Sequence, residues 1–273
     1  MKINPAQIKI IVPVLILLSV GIFWYFMNNN MNKSSRIDTV PVCSSQDGKC
    51  DGATKEFGFE NKGLKTNTAE LSIPIEKVLD GGPGKDGIPA LTNPKFFSVK
   101  EANKDIKDDV DGIVVSVGKV IKFYPYSILV WHEIVNDVVG SKSLAVTFCP
   151  LCGSAIVFDA EINGKAEQFG VSGKLYESNL LMYDKSTESL WSQSIGTAVV
   201  GDRTSEKLAI YPSQVVSCKT LKEKWPNAEV LSTNTGYNRD YTFYPYGDYN
   251  SNDSILFPIS IKDSRFPAKE IMF

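Results

Sequence analysis

Histidine is almost missing from this chain: His132 is the only one among 273 residues. A closed zinc site built from one cysteine knuckle and two histidines is therefore excluded. A surplus of charge is lacking too. Lys and Arg number 29 against 31 Asp and Glu, a formal charge of -2, which is not the basic footprint that nucleic-acid binding requires. There is no Gly-x-Ser-x-Gly elbow, since Ser172 lies in Gly170-Val171-Ser172-Gly173, and this argues against a serine hydrolase. The glycine-dense run Asp80 to Gly87 lacks both the Gly-Lys-Ser/Thr ending and the preceding apolar strand of a phosphate loop, so it reads as a surface loop. No internal repeat is visible.

Long apolar runs are confined to one place, Ile8 to Phe26, where Lys9 is the sole charge. At about 1.5 Å per helical residue this segment matches a hydrocarbon core of roughly 30 Å. It ends in Phe23-Trp24-Tyr25-Phe26 and Asn28-Asn29-Asn30 without an Ala-x-Ala cleavage pattern, which favours an uncleaved signal-anchor over a removed signal peptide. The expectation is a single-pass protein of the cell membrane: residues 1–27 as anchor, Lys2 and Lys9 on the cytoplasmic side, and the body on the extracytoplasmic side. Residues 28–70, rich in Asn, Ser, Lys and Gly, read as a polar linker. Within it, Cys43 and Cys50 flank a polar Asp-Gly turn and can close a small disulfide loop in an oxidising compartment.

The body, residues 71–273, reads as one β-rich domain. Asp111 to Tyr124 breaks at Ser116-Val117-Gly118-Lys119 as a hairpin; Ile134 to Val139 and Leu144 to Cys149 flank a second turn at Gly140 to Ser143; Asn163-Gly164 marks a third. Short helices are expected at Tyr126 to Glu133, carrying His132 inward, and at Leu221 to Trp225. This rhythm predicts a mostly β fold, a curved sheet, sandwich or barrel of short antiparallel strands with few helices.

The sharpest chemical feature is Phe148-Cys149-Pro150-Leu151-Cys152-Gly153. In metal knuckles such a turn aims both sulfurs at one point, with glycine permitting a positive φ. In thiol–disulfide enzymes the pair normally opens a helix, whose positive end lowers a cysteine pKa. Here Ser154-Ala155-Ile156-Val157-Phe158 reads as a strand, so a helix dipole is not expected. The leading expectation is a transition-metal site, zinc or copper, on His132, Cys149 and Cys152, with Glu133, Asp184 or Cys218 as candidate fourth ligand. The competing readings are a thiol–disulfide oxidoreductase using Cys149 and Cys152, and a non-catalytic binding module for an envelope ligand. Cys218 itself reads as a buried small hydrophobe.

A second cluster, Gly170 to Asp184 with Glu188 to Gln193, mixes polar, aromatic and glycine residues in a way that suits a cleft for a small molecule, glycan or protein ligand. Glu133, Ser172, Tyr176, Asn179, Tyr183, Asp184 and Trp191 are its candidate residues; the alternative is that they make turns and core between strands. The carboxylates of Glu133, Glu177, Asp184 and Glu188 are available for acid–base work, but sequence brings no two of them together.

Several strings in order, Gly87-Ile88-Pro89-Ala90-Leu91, Trp131 to Asp137, Cys149 to Ala155, Gly170 to Asp184, Glu188 to Gln193 and Pro267-Ala268-Lys269-Glu270, resemble the domain-of-unknown-function family 3179 of bacterial and archaeal proteins. The resemblance covers about Leu71 to Phe273 and implies a shared fold without assigning an activity. Members of that family continue past the Pro-Ala-Lys-Glu motif, which implies a terminal strand that is missing here or supplied by a neighbour.

Overall fold

The computed structural model describes residues 41–43 and 50–54 by their backbone, and 59–102 and 104–270 in full. The expected anchor, Ile8 to Phe26, lies outside them. Among the described residues no helix is long and apolar enough to cross a membrane. Strands β1 (Pro41–Cys43) and β2 (Cys50–Thr54) pair antiparallel, and their register sets Cys43 opposite Cys50.

From there the chain makes β3 (Leu79–Asp80), β4 (Leu91–Thr92) and β5 (Phe96–Ser98), a single helical turn α1 (Val99–Ala102), and the hairpin β6 (Asp111–Val117) and β7 (Val120–Pro125). Helix α2 (Tyr126–His132) leads into the hairpin β8 (Ile134–Val139) and β9 (Lys142–Cys149), then β10 (Ser154–Asp159) and the small hairpin β11 (Glu161–Ile162) and β12 (Lys165–Ala166). Next come β13 (Phe169–Tyr176), β14 (Asn179–Asp184), β15 (Leu190–Ser192), β16 (Thr197–Val200), β17 (Ser213–Ser217), helix α3 (Cys218–Lys224) and β18 (Glu229–Leu231).

Three sheets carry the body, in the orders β10-β9-β8-β4, β16-β15-β14-β13-β3 and β17-β6-β7-β18-β5, and none of them closes into a barrel. Pairing is antiparallel except where β18 lies parallel to β7 and β4 parallel to β8. The fold is thus mostly β with few short helices, as the turn rhythm predicted. Both expected body helices are present, and the first two hairpin turns fall where Gly118-Lys119 and Gly140-Ser141 separate the paired strands.

Near the end of the expected linker, 28–70, the chain touches the body at a few points. Leu64 and Thr66 are buried, the Lys65 amide donates to Glu188 Oε2 at 2.6 Å and the Thr66 hydroxyl to the Glu188 carbonyl at 2.7 Å. A lone leucine amid polar residues carries no periodicity, yet it closes the small core of Val78, Leu181, Leu190 and Val200.

Two polar ties hold the sheets in place. Asn136 on β8 donates to the Phe169 carbonyl at 2.8 Å and accepts from the Phe169 amide at 2.7 Å, clamping β8 to β13. On the other side Asp137 accepts from Lys122 at 2.8 Å and from Tyr124 at 2.7 Å, linking β8 to β7. Buried polar groups paired in this way avoid the desolvation penalty of an orphan and fix one register. The outcome is that β8 and β9 sit rigidly between their neighbours, and the hairpin end of β9 becomes a stable platform.

Candidate functional site

The platform ends in the two cysteines. Cys149 is the last residue of β9, Ser154 begins β10 opposite it, and Pro150-Leu151-Cys152-Gly153 form the connecting loop. The cysteine pair therefore sits on a hairpin loop, not at a helix start, as the β-branched run after Gly153 predicted. Gly153 adopts φ +62°, and a Cβ there would meet nothing, so its role is conformational. Cys149 is buried, Cys152 is exposed, and both are free thiols.

The environments of the two sulfurs differ sharply. Cys152 Sγ lies 3.2 Å from Asn179 Nδ2 and 3.1 Å from Ser154 Oγ. The amide orientation of Asn179 is dictated by its surroundings, because its Oδ1 accepts from the Ser194 N–H at 3.0 Å, which only an oxygen can do. Its second N–H donates to Gln193 Oε1 at 2.8 Å, and Ser154 Oγ donates to the same oxygen at 2.7 Å. Gln193 is oriented in turn by donating Nε2 to Thr147 Oγ1 at 3.1 Å and the Ser154 carbonyl at 3.3 Å. The Asn179 amide is consequently aimed at Cys152 as a donor of fixed polarity, while the Ser154 hydroxyl, its one proton given to Gln193, faces the sulfur as an acceptor. The Cys149 thiol, then Ser154 and Asn179, hold the Cys152 pKa down to about 6 against the opposing effect of burial. Cys149 moves the other way, well above the ordinary thiol range, through its hydrogen bond with Cys152, its burial, and the charges of Cys152 and Glu133.

Glu133 approaches from α2. It caps that helix at φ +58°, ψ -31°, a conformation that is uncommon and strained for a residue with a side chain. Its N–H bonds the Leu129 carbonyl at 2.6 Å, and its own carbonyl accepts from the Phe148 amide at 2.8 Å, so the strained residue is stitched to the strand that ends in Cys149. The carboxyl is buried at 6% exposure, with only the Tyr246 hydroxyl donating to Oε1 at 3.1 Å. Burial pushes its pKa up to about 7; the Tyr246 bond opposes the shift and the Cys152 charge adds to it.

The expected metal centre is not assembled. His132 is fully buried, as predicted, but its Nδ1 donates to the Pro89 carbonyl at 2.8 Å, leaving Nε2 to accept from the Tyr241 hydroxyl at 2.8 Å. The Thr235 hydroxyl is 2.5 Å from Tyr241 Oη and completes the chain. Burial lowers the His132 pKa to about 4, so the ring is neutral with both nitrogens engaged away from the sulfurs. Among the described residues no three His, Cys, Asp or Glu side chains converge to hold a metal ion. The physical reason is the register: Ile134 pairs with Thr147, and the helix end turns the imidazole toward Pro89 and the C-terminal tail.

The expected cleft also divides. Asn179 and Glu133 gather at the cysteines, but the other five do not. Ser172 donates to the Leu181 carbonyl at 2.5 Å and accepts from the Lys174 amide at 2.9 Å, holding a bulge in β13. Tyr176 packs against the core around Leu181. Tyr183 lies across Gly170, whose added Cβ would sit 2.4 Å from the ring, and donates to Asp86 at 2.6 Å. Asp184, fully buried, accepts from the Thr187 amide at 2.7 Å and from Trp191 Nε1 at 2.9 Å, so these two residues are a structural pair. Of the candidate fourth ligands, Cys218 is buried in the core under α3 and Asp184 belongs to that turn. Residues that sequence reasoning did not select are Ser154, Gln193 and Tyr246. Gln193 closes a string already singled out, whereas Tyr246 carries no local signal at all.

An exposed thiol facing an aligned amide donor, a buried partner thiol and a buried carboxyl make up the candidate site on this β-sheet scaffold. The family model described as "Protein of unknown function (DUF3179)" matches residues 85–273, and the chain belongs to that family. No curated protein and no solved structure matches it.

Proposed function

We propose that this domain performs thiol–disulfide exchange through Cys152 and Cys149. The observation that carries the reading is the asymmetry of the pair: Cys152 exposed and facing the oriented Asn179 donor, Cys149 buried beside it. An attacking thiol is most effective when its pKa lies near ambient pH, which suits Cys152 at about 6. In the forward step the Cys152 thiolate attacks a substrate disulfide, whose S–S bond breaks and releases one substrate thiolate. The Cys149 proton passes to the Glu133 carboxylate, and Cys149 then attacks Cys152 Sγ in the mixed disulfide. A Cys149–Cys152 disulfide forms, the second substrate thiolate leaves, and two electrons have moved from protein to substrate. Run backwards, the same steps oxidise a dithiol.

Anchoring by residues 8–26 and an extracytoplasmic location belong to the same proposal, since disulfide substrates persist in oxidising compartments. Zinc or copper on His132, Cys149 and Cys152 is not part of it, because the imidazole is committed elsewhere. The test is trapping. Cys149→Ser should accumulate a mixed disulfide at Cys152 when mixed with a small disulfide, whereas Cys152→Ser should not react. A wild-type Cys149–Cys152 disulfide with a reduction potential below about -300 mV, the range of inert structural bridges, would refute the proposal.

A further inference from the structure

The C-terminal motif Pro267-Ala268-Lys269-Glu270 lies far along the chain from the cysteines, and the reaction above makes no use of it. Yet bonds connect the two. Beyond β18 the described residues form no strand and contribute one 3-10 turn, Tyr249–Ser251. Tyr249 is only 4% exposed in this irregular stretch, and its hydroxyl donates to the Leu151 carbonyl at 2.9 Å. Leu151 stands between the two cysteines, and its carbonyl shares a rigid peptide plane with the Cys152 nitrogen. Holding that oxygen therefore sets the direction in which the Cys152 side chain leaves the loop.

Lys269 secures the tyrosine from behind. Its ammonium donates to the Tyr249 carbonyl, to the Asn252 carbonyl at 2.9 Å and to Asn252 Oδ1 at 3.3 Å, and it lies 3.4 Å from the Tyr249 ring centroid. Three acceptors and a π-face around one ammonium use its full donor capacity. Inside the loop, the Cys152 amide meets the Cys149 carbonyl at a long 3.4 Å, and nothing stands within 4 Å of where a Gly153 Cβ would lie. The bond from Tyr249 thus reaches the loop where its own hydrogen bonding is weakest.

We infer that Lys269 and Tyr249 are positioning residues for Cys152: they clamp the loop between the cysteines so that Sγ rests against Asn179 and Ser154. Released from the clamp, the sulfur leaves the Asn179 donor and becomes an ordinary thiol. The inference deepens the exchange reading and rests on it for its purpose, but the position of Cys152 can be measured without any exchange.

The experiment uses the full chain in detergent, iodoacetamide as probe, and mass spectrometry of the Cys152 peptide to follow alkylation against pH. Lys269→Met and Tyr249→Phe should each move the apparent Cys152 titration toward the ordinary thiol value near 8.5 and slow alkylation at pH 6.5 by about fivefold or more. Lys269→Arg, which keeps the charge and donors, should restore most of the rate. Tyr249→Phe removes a single hydroxyl and guards against a Lys269→Met chain that fails to fold. Wild-type titration in both folded variants would overturn the inference. Shifted titration in the variants, combined with a Cys149→Ser protein that traps no mixed disulfide, would retain the clamp and discard the exchange function.

Discussion

Replacing Glu133 by Gln removes a proton acceptor while keeping an oxygen for Tyr246 to bond, so the substitution is close to isosteric. With a pKa of about 7 the wild-type carboxyl is about one-tenth ionised at pH 6 and about nine-tenths at pH 8. If it receives the Cys149 proton, the resolving step should accelerate about tenfold over that interval and then level off. In Glu133→Gln the rise should vanish and the step should slow by about 100-fold at pH 8, the lower end of what a positioned base contributes. An aromatic disulfide that releases a coloured thiolate separates the steps in a stopped flow: the first release reports attack by Cys152, the second reports resolution by Cys149. A second phase in Glu133→Gln that keeps wild-type rate and pH dependence would refute the role given to the carboxylate.

The same substitution has a stability signature whose sign is fixed independently. Glu133 is an acid whose folded pKa is raised from the ordinary 4.5 to about 7, so the folded state holds a proton that the unfolded chain has already lost. Its favourable contribution is complete below 4.5 and disappears as pH rises through 7, a change of about 3 kcal/mol. His132 runs oppositely across nearly the same window, and Cys152 adds its own slope above pH 6, so the wild-type curve alone hides the effect. Subtracting the curve of Glu133→Gln from that of wild type cancels the His132 slope and leaves the Glu133 change together with its coupling to the cysteines. Denaturant titrations at pH 4.5 and 8 supply the four values required.

Two further outcomes follow from the geometry. Asn179→Ala removes the oriented N–H 3.2 Å from Cys152 and leaves Gln193 Oε1 short of one donor; alkylation of Cys152 at neutral pH should slow severalfold, and an unchanged rate would show that the network does not act on the sulfur. For His132 the folded pKa is depressed from 6.5 to about 4, so its stabilisation is present above 6.5 and is lost as pH falls through 4, by about 3 kcal/mol; the stability of wild type minus that of His132→Gln should rise by this amount between pH 4 and 6.5 in denaturant titrations, and a flat difference would contradict a neutral, doubly engaged ring.

What was legible in the sequence divides along physical lines. Hairpins set by Gly118-Lys119 and Gly140-Ser141 were readable because the turn residues and the flanking alternation are both local. Ser172 to Tyr176 reads as turns or cleft lining, yet it lies within β13, because the glycines of that strand serve long-range contacts: Gly170 makes room for the Tyr183 ring, and Gly173, at φ +73°, admits the Gly84 backbone 2.6 Å from where a Cβ would lie. Composition reports that a side chain is small, but not what will approach it.

The same division explains the site. That the cysteine pair sits on a hairpin followed directly from the residues after Gly153, and so did the inward direction of His132. Which group would meet the sulfurs did not follow, because His132 and Glu133 are chain neighbours and the choice between them depends on one backbone angle. At φ +58° Glu133 leaves the helical path, sending its carboxyl toward the cysteines while the imidazole stays with Pro89 and Tyr241. An L-residue takes that conformation at a cost of about 1–3 kcal/mol, and the Leu129 and Phe148 backbone bonds are what hold it there. A glycine at this position would relieve the strain and keep the turn. Glu177 and Glu188 also stand at positive φ, so strain alone does not mark Glu133; what sets it apart is a buried carboxyl whose charge is felt by the cysteines, and the proposed exchange uses it as the acid–base partner of two thiols instead of a third ligand around an ion.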